Sequence, residues 1–456
     1  MRYKRETMAK SRIEKAPVHF NINNLPQMLS TIQTENYLME YFRETDEKGR
    51  YLYWDQFRWR VPKHHNAQKA WLVTKWIRFT KRKPIELCDK DGVEFHYTVP
   101  DSLQAKLYRI AKLSGEGMTP NSSIQKKYLI SSLIIEEAIS SAQLEGASTT
   151  RRVAKKMLVE ERKPRTEDEQ MILNNYLLMH EVKALKDAPL SIEMILHFHQ
   201  IATEGTTENA VVPGSFREDD EIVISNGIDG EILHQPPSYT QIDTRLEKLC
   251  TFANTNHSGE GGDSFIDPIV KAIILHFIIG YEHPFSDGNG RTARAIFYWS
   301  MLKNGFTLFE YLSISKLLKV APVQYGMAYL YSEIDENDLT YFIYYQADII
   351  LRAMDELFGY LDAKSREFEE VMVLLDNSSM GDKLNFIQKD IVKKAMKNPG
   401  RIFTAKEITN AYDISANTAR KYLKVLAKDK LLAPLKEGRT VKYIALADIR
   451  DVFENN

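Results

Sequence analysis

The chain predicts a mostly α-helical protein with one β-hairpin in its middle and a small helix–helix–helix–hairpin module at its C-terminal end. Three observations lead there. Apolar residues recur at helical spacing through most of residues 121–372. Glu221-Ile222-Val223-Ile224 is short and β-branched, the turn dipeptides Asn226-Gly227 and Asp229-Gly230 follow, and Glu231-Ile232-Leu233 can return. Beyond Asp376-Asn377-Ser378-Ser379-Met380-Gly381 the pattern shifts to short amphipathic helices and a closing strand pair.

Composition narrows the class. At roughly 150 residues per domain, a chain of this length suggests about three domains, here 1–120, 121–372 and 382–456. Hydrophobic residues make up 43% and charged residues 27%, an ordinary globular balance. A net charge of −1 argues against a whole-chain electrostatic grip on nucleic acid or membrane and leaves only local patches. The two cysteines, Cys88 and Cys250, form no ligand pattern, which fits a reducing compartment without disulfide framework or zinc site. No apolar run approaches the ~18 residues of a membrane span. No apolar stretch of signal-peptide type follows the basic N-terminus. The expectation is a cytoplasmic protein without a membrane partner.

Taken in order, residues 1–15 read as a mobile basic tail, and residues up to 120 are mixed in pattern and rich in aromatics, with Tyr51, Tyr53, Trp54, Phe57, Trp59 and Trp71. A basic cluster runs from Arg78 to Lys83. Aromatic and basic residues interleaved can bind nucleic acid; a core with a solvated basic face is the preferred reading. Leu129, Leu133, Ile134, Ala138 and Ala142 predict a helix that ends at Glu145-Gly146. A carboxylate there faces the negative end of the helix dipole, so Glu145 is expected to have a partner from elsewhere. In the hairpin, Pro236-Pro237 stops the second strand, and His234 reads as an exposed loop histidine. Asp267-Pro268 reads as N-cap and N1 of a helix running to Tyr281. Ala293, Ile296, Phe297 and Met301 mark the next helix, with Gly305 closing it. Asp338-Leu339-Thr340 opens a strong helix that passes Leu357.

The stretch His283-Pro284-Phe285-Ser286-Asp287-Gly288-Asn289-Gly290-Arg291-Thr292-Ala293-Arg294 lies between two of these helices. His283 can accept a proton. Asp287 is a hard oxygen ligand suited to Mg²⁺. Gly288, Asn289 and Gly290 allow close backbone approach to a phosphate. Arg291 and Arg294 fall on one helical face, at a helix N-terminus that is itself an anion site.

This stretch resembles the signature of the Fic family, H-P-F-x-D/E-G-N-G-R-x-x-R, whose members mostly move AMP from ATP to a protein hydroxyl. The resemblance implies His283 as general base, Asp287 holding Mg²⁺, and Gly288, Asn289 and Gly290 cradling phosphates. It implies Arg291 on the departing pyrophosphate and Arg294 on the γ-phosphate, with Phe285 anchoring the loop in the core. Asp287 and Gly290 favour nucleotidyl transfer over the phosphorylating variants of the family. Ser141-Ala142-Gln143-Leu144-Glu145-Gly146 is similar to the family's inhibitory motif, S/T-x-x-x-E-G/N, and implies that Glu145 pairs with Arg294 and keeps ATP in an unproductive pose. The hairpin, through Ile222, Val223 and Ile224, would be the flap that clamps a target segment by strand pairing. Tyr325 falls near the place of a tyrosine beside the adenine, or is a core tyrosine. The implied cofactors are ATP and Mg²⁺, and the implied acceptors are Tyr, Thr or Ser hydroxyls of the protein itself or a partner. Removal of AMP, or another diphosphate-containing donor such as UTP, stays open.

At the C-terminal end, Phe386 to Met396 predicts one helix, a capping box at Thr404 to Glu407 opens a second, and Ser415 caps a third. A turn at Lys436-Glu437-Gly438-Arg439 and the strand Val441 to Ile444 follow. The order resembles a winged helix-turn-helix. In that reading the third helix would present Asn417, Thr418, Arg420 and Lys421 to base edges, and Lys436 and Arg439 would meet phosphates of duplex DNA. Protein contact is the alternative use of such a module. The rival to an enzyme is therefore a DNA-binding transcriptional regulator with a nucleotide-sensing core.

Overall fold

The computed structural model describes residues 7–8, 13–114, 135–206, 212–226, 230–262, 264–376, 383–398, 400–437, 440–446 and 449. Helices α1 (Leu25–Thr34) and α2 (Ala67–Lys81) lead to a hairpin, β1 (Lys83–Cys88) and β2 (Glu94–Tyr97), and then α3 (Asp101–Ser114). Helix α4 covers residues 135–144 of the described chain. It is followed by α5 (Arg151–Glu160), α6 (Glu167–Ala184) and α7 (Ile192–Thr203). The short strands β3 (Ile224–Asn226) and β4 (Ile232–His234) precede α8 (Ile242–Asn254), α9 (Pro268–Glu282) and α10 (Asn289–Lys303). Then come α11 (Ile314–Val320), α12 (Pro322–Ile334) and the long α13 (Thr340–Asp376). The chain closes with α14 (Phe386–Lys397), β5 (Ile402–Phe403), α15 (Ala405–Tyr412), α16 (Ala416–Lys428), β6 (Leu432–Glu437) and β7 (Thr440–Ala445).

The described residues fall into two compact units. The first takes those of Met1–Met118, Glu137–Ser148 and Thr166–Ala353, and the second those of Thr119–Glu136, Thr149–Arg165 and Met354–Asn456.

At the centre of the first unit lies α9. It is apolar on all sides, as a helix enclosed by others must be, and nearly every residue from Ile269 to Glu282 is buried. Its start is the expected one: Asp267 accepts from the Ile269 amide at 2.8 Å, and Pro268 occupies the first turn, where no N–H is needed. Its end lies one residue beyond the expected Tyr281, with His283 as a left-handed cap. Helix α10 closes as expected, Gly305 adopting a φ of +82° just past its end.

Three expectations in this unit need correction. Arg78 belongs to no solvated face. It is 3% exposed, lies 3.6 Å from the Tyr51 ring centroid, and donates to the Glu44 and Leu52 carbonyls and to the Tyr341 hydroxyl at 3.0, 3.1 and 2.7 Å. A guanidinium can be buried when its fork of donors is matched in this way. The hairpin is shifted: its first strand begins at Ile224, while Ile222 and Val223 precede it and are half-buried. The β-branched run marks strand propensity, but the register is set by the three-residue return strand, which pairs Ile224 with His234 and Ser225 with Ile232. Residues 227–229, on which the expected turn dipeptides fall, lie outside the described residues. His234 is buried, not exposed; it bonds the Glu333 carboxylate at 2.6 Å and the Tyr281 carbonyl at 2.8 Å. In the basic tail, Thr7–Met8 pairs in parallel with β3, Thr7 opposite Ser225.

In the second unit each C-terminal helix has a side-chain cap: Asn385 with a full capping box, Thr404 and Ser415. A sheet of order β5–β7–β6 closes it. Ile391, Phe403, Ala419, Leu423, Leu426 and Leu431, each fully buried, form its core. No described helix is long and apolar enough to cross a membrane.

Candidate active site

The loop between α9 and α10 is held by its own residues and by two neighbours. Asn289 closes it: its amide oxygen accepts from the Phe285 N–H at 3.0 Å and its amide nitrogen donates to the Phe285 carbonyl at 2.7 Å. Phe285 is fully buried and stacks on His199, ring centroids 3.7 Å apart. Gly288 sits at φ +85° with Thr203 against its Cα, and a Cβ there would lie 2.7 Å from the Thr203 methyl. A larger residue is excluded by conformation and by space alike.

His283 occupies the left-handed cap of α9, with φ 45°, a conformation that a non-glycine residue adopts at some cost. Its Nδ1 lies 3.2 Å from the Gly280 carbonyl. A carbonyl can only accept, so Nδ1 carries the proton and Nε2 keeps its lone pair. Burial pulls this imidazole from 6.5 down to about 4, so it stays neutral at ordinary pH and able to take a proton.

The two arginines are both buried. Arg291 donates to the Ala202 carbonyl at 2.7 Å and to the Asp287 carboxylate at 3.0 Å, while its Nε is buried with no hydrogen-bond partner. The Asp287 side chain remains 38% exposed. Arg294 meets α4: it donates to the Ser141 hydroxyl at 3.1 and 2.9 Å and to Glu145 Oε1 at 2.7 Å. Glu145 therefore has its distant partner. Its carboxylate lies directly over the first turn of α10, where a Cβ on Gly290 would come within 2.4 Å of Oε1. A helix N-terminus attracts anions, and here the anion is a side chain of the same protein.

A protein-family model described as "Fic/DOC family" matches residues 189–301. Residues 189–301 form a Fic/DOC domain. The chain is 51% identical over 41 residues to "Protein adenylyltransferase fic-1" of Caenorhabditis elegans, which is 9% of this chain and 8% of that protein. It is 24% identical over 162 residues to "Protein adenylyltransferase Fic" of Drosophila virilis, 35% of this chain and 30% of that one. The chain thus spans a third or less of the curated relatives it matches. Among solved structures, a Fic family protein from Desulfovibrio desulfuricans G20 aligns with a TM-score of 0.47 and 16% identity, covering 76% of this chain and 97% of that one.

Within the Fic domain, sequence reasoning passed over two residues that hold the loop. His199 accepts from the Gly214 amide at 3.0 Å through Nδ1, so its Nε2 carries the proton and donates to the Asp287 carbonyl at 2.9 Å. Burial lowers it to about 4. Arg217 donates to the His283 carbonyl at 3.0 Å, to Asp220 at 2.7 Å and to the Pro237 carbonyl. Both had a weak signal, a histidine inside the apolar helix of Ile195, Phe198 and Ala202, and an arginine after Pro213-Gly214-Ser215-Phe216. Tyr325 bonds His276 Nε2 at 2.8 Å from α12. That is the polar partner a core tyrosine needs.

In the second unit, Asn417, Arg420 and Lys421 are exposed at the start of α16, and Arg420 donates to Asn417 at 3.0 Å. Thr418 is half-buried beside the Ser415 cap. Lys436 falls on β6, and Arg439 lies outside the described residues.

Proposed function

We propose that this protein transfers AMP from Mg·ATP to a Tyr, Thr or Ser hydroxyl, its own or a partner's, and that Glu145 restrains it. The observation that carries this reading is His283: buried, neutral, and oriented by the Gly280 carbonyl so that the unprotonated Nε2 is free. In the transfer, the hydroxyl oxygen bonds the α-phosphorus, its proton passes to Nε2, and the bond to the β-phosphate oxygen breaks with release of pyrophosphate. The amides at the start of α10, with Arg291 and Arg294, neutralise the phosphates. Positioning and charge carry most phosphoryl-type chemistry.

Asp287 fits Mg²⁺ by its donor chemistry. It is a single, partly exposed carboxylate beside the phosphate end of the loop, and Mg²⁺ takes one or two carboxylates and fills its shell with phosphate oxygens and water. When bound, the ion would draw charge from the α and β phosphates. Asn289, which already staples the loop, would act through loop shape as well as on phosphates. Tyr325 would border the adenine from α12. The flap reading keeps Ile224 on a strand, with Ile222 and Val223 just before it. A target segment pairing with β3 on its outer edge would have to displace Thr7–Met8, which holds that edge here.

For the second unit, the exposed cationic start of α16 supports duplex DNA binding by a winged helix, with Lys436 and Arg439 on the wing. This would make the protein an enzyme with a regulator's output. The transfer itself is tested by parallel incubation with α-labelled and γ-labelled ATP. Label retained on protein from the α position only supports AMP transfer. Label from the γ position only would mean phosphorylation and would end this reading.

A further inference from the structure

Helix α4 is fastened at a second point. Glu137, 3% exposed, lies two turns before Glu145 on α4. It accepts from the Ser313 hydroxyl at 2.7 Å, from the Ser315 hydroxyl at 2.5 Å and from the Ser315 amide at 3.3 Å, all at the start of α11. Farther along α11, Lys319 donates to Gln143 at 2.6 Å. The start of α11 is in turn tied to α10 by Tyr298, whose hydroxyl donates to the Leu312 carbonyl at 2.9 Å and accepts from the Ile314 amide at 3.1 Å. Tyr298 stands one turn after Arg294 on the same helical face. The links close a ring: Arg294 to Glu145, along α4 to Glu137, across to Ser313 and Ser315, through Tyr298 back to α10.

We infer that Glu137, with Ser313 and Ser315, is a latch that positions the inhibitory carboxylate, and that Glu145 stays on Arg294 only while this latch is closed. The inference rests on the reading of Glu145 as a restraint. Its physical basis is the position of Glu145 just past the last turn of α4: a helix end frays unless tied, and the Glu145 carboxylate is held there by Arg294. Glu137 supplies a tie two turns earlier. A carboxylate this buried is tolerated because both its oxygens accept hydrogen bonds. Any event that takes the serines from Glu137, such as modification of the half-buried Ser313 by a charged group, would loosen α4 without touching the catalytic loop.

The test compares wild type, Glu145→Gly, Glu137→Ala, Glu137→Gln and Glu137→Ala/Glu145→Gly for transfer from α-labelled Mg·ATP, alongside hydrogen exchange of residues 137–146. The latch predicts that Glu137→Ala transfers within about threefold of Glu145→Gly. It predicts that Glu137→Gln, which still accepts from one serine, falls between that and wild type. It predicts no gain of the double variant over Glu145→Gly. Glu137→Ala at the wild-type rate beside a fast Glu145→Gly overturns the latch and leaves the transferase standing. If no variant transfers AMP, the transferase reading fails and exchange decides the latch: roughly tenfold faster exchange at 137–146 in Glu137→Ala, with α10 unchanged, supports it, and unchanged exchange overturns it. Should Glu137→Ala not fold, Ser315→Ala is read by the same criteria.

Discussion

The loop between α9 and α10 and the start of α16 make opposite use of charge. In the loop, Arg291, Arg294, His283 and Asn289 are buried, and their bonds to the backbone or to carboxylates fix their geometry. At the start of α16, Asn417, Arg420 and Lys421 stand in solvent. Preorganised polar groups suit chemistry, where a developing charge must be met without rearrangement. Long solvated cations suit a polyanion surface, which is held by many salt-sensitive contacts. The two regions should therefore fail differently when altered.

The largest expected contrast is at His283. His283→Ala should lower AMP transfer by roughly 10²–10⁴-fold, as loss of a general base does, with no effect on duplex binding by the C-terminal unit. A transfer assay paired with a DNA-binding titration checks both, and a loss of both would erase the distinction. Next is salt. Arg420→Ala/Lys421→Ala should reduce the slope of log affinity against log salt by about two for duplex DNA, while transfer in a Glu145→Gly background stays unchanged. Salt-independent binding by the parent protein would remove the DNA reading.

Arg217 and His199 sharpen the loop side. Arg217→Ala frees the His283 and Pro237 carbonyls of their common donor and should lower kcat more than it raises KM. His199→Ala removes the ring stacked on Phe285 and leaves two loop groups unpaired, with an expected destabilisation of roughly 1–3 kcal/mol. Thermal or denaturant unfolding measures it. A separate effect is that of pH. His283 and His199 are held at about 4, and His276, fully enclosed, at about 3, all by burial. Below the unfolded value of 6.5 the unfolded chain binds protons that the folded one refuses. Stability should fall as pH drops from 6.5 toward 4, and the loss should be complete below the folded values. The acid limb of kcat/KM should sit near 4 rather than 6.5.

The same contrast explains what could be read from the chain. The loop was legible because its chemistry needs consecutive residues, and the caps at Asp267, Thr404 and Ser415 because capping is local. Glu145 announced itself by standing at the wrong end of a helix. His199 and Arg217 carried only a weak sign and Arg78 and Glu137 none, since their principal partners lie far away in sequence. The hairpin of Ile224–Asn226 and Ile232–His234 was found but misplaced, because β-branching gives propensity while the partner strand gives register. The hairpin of Lys83–Cys88 and Glu94–Tyr97 was passed over although the Asp91-Gly92 dipeptide between its strands is a local turn signal, Gly92 adopting φ +83°.

The restraint proposed for Glu145 puts its carboxylate at the start of α10, where ATP phosphate would bind. Its most direct test is intact-mass measurement of wild type, Glu145→Gly and Glu145→Gly/His283→Ala after incubation with Mg·ATP. A gain of one or more AMP units is expected in Glu145→Gly alone. An equal gain in wild type, or a gain that survives the loss of His283, would contradict it.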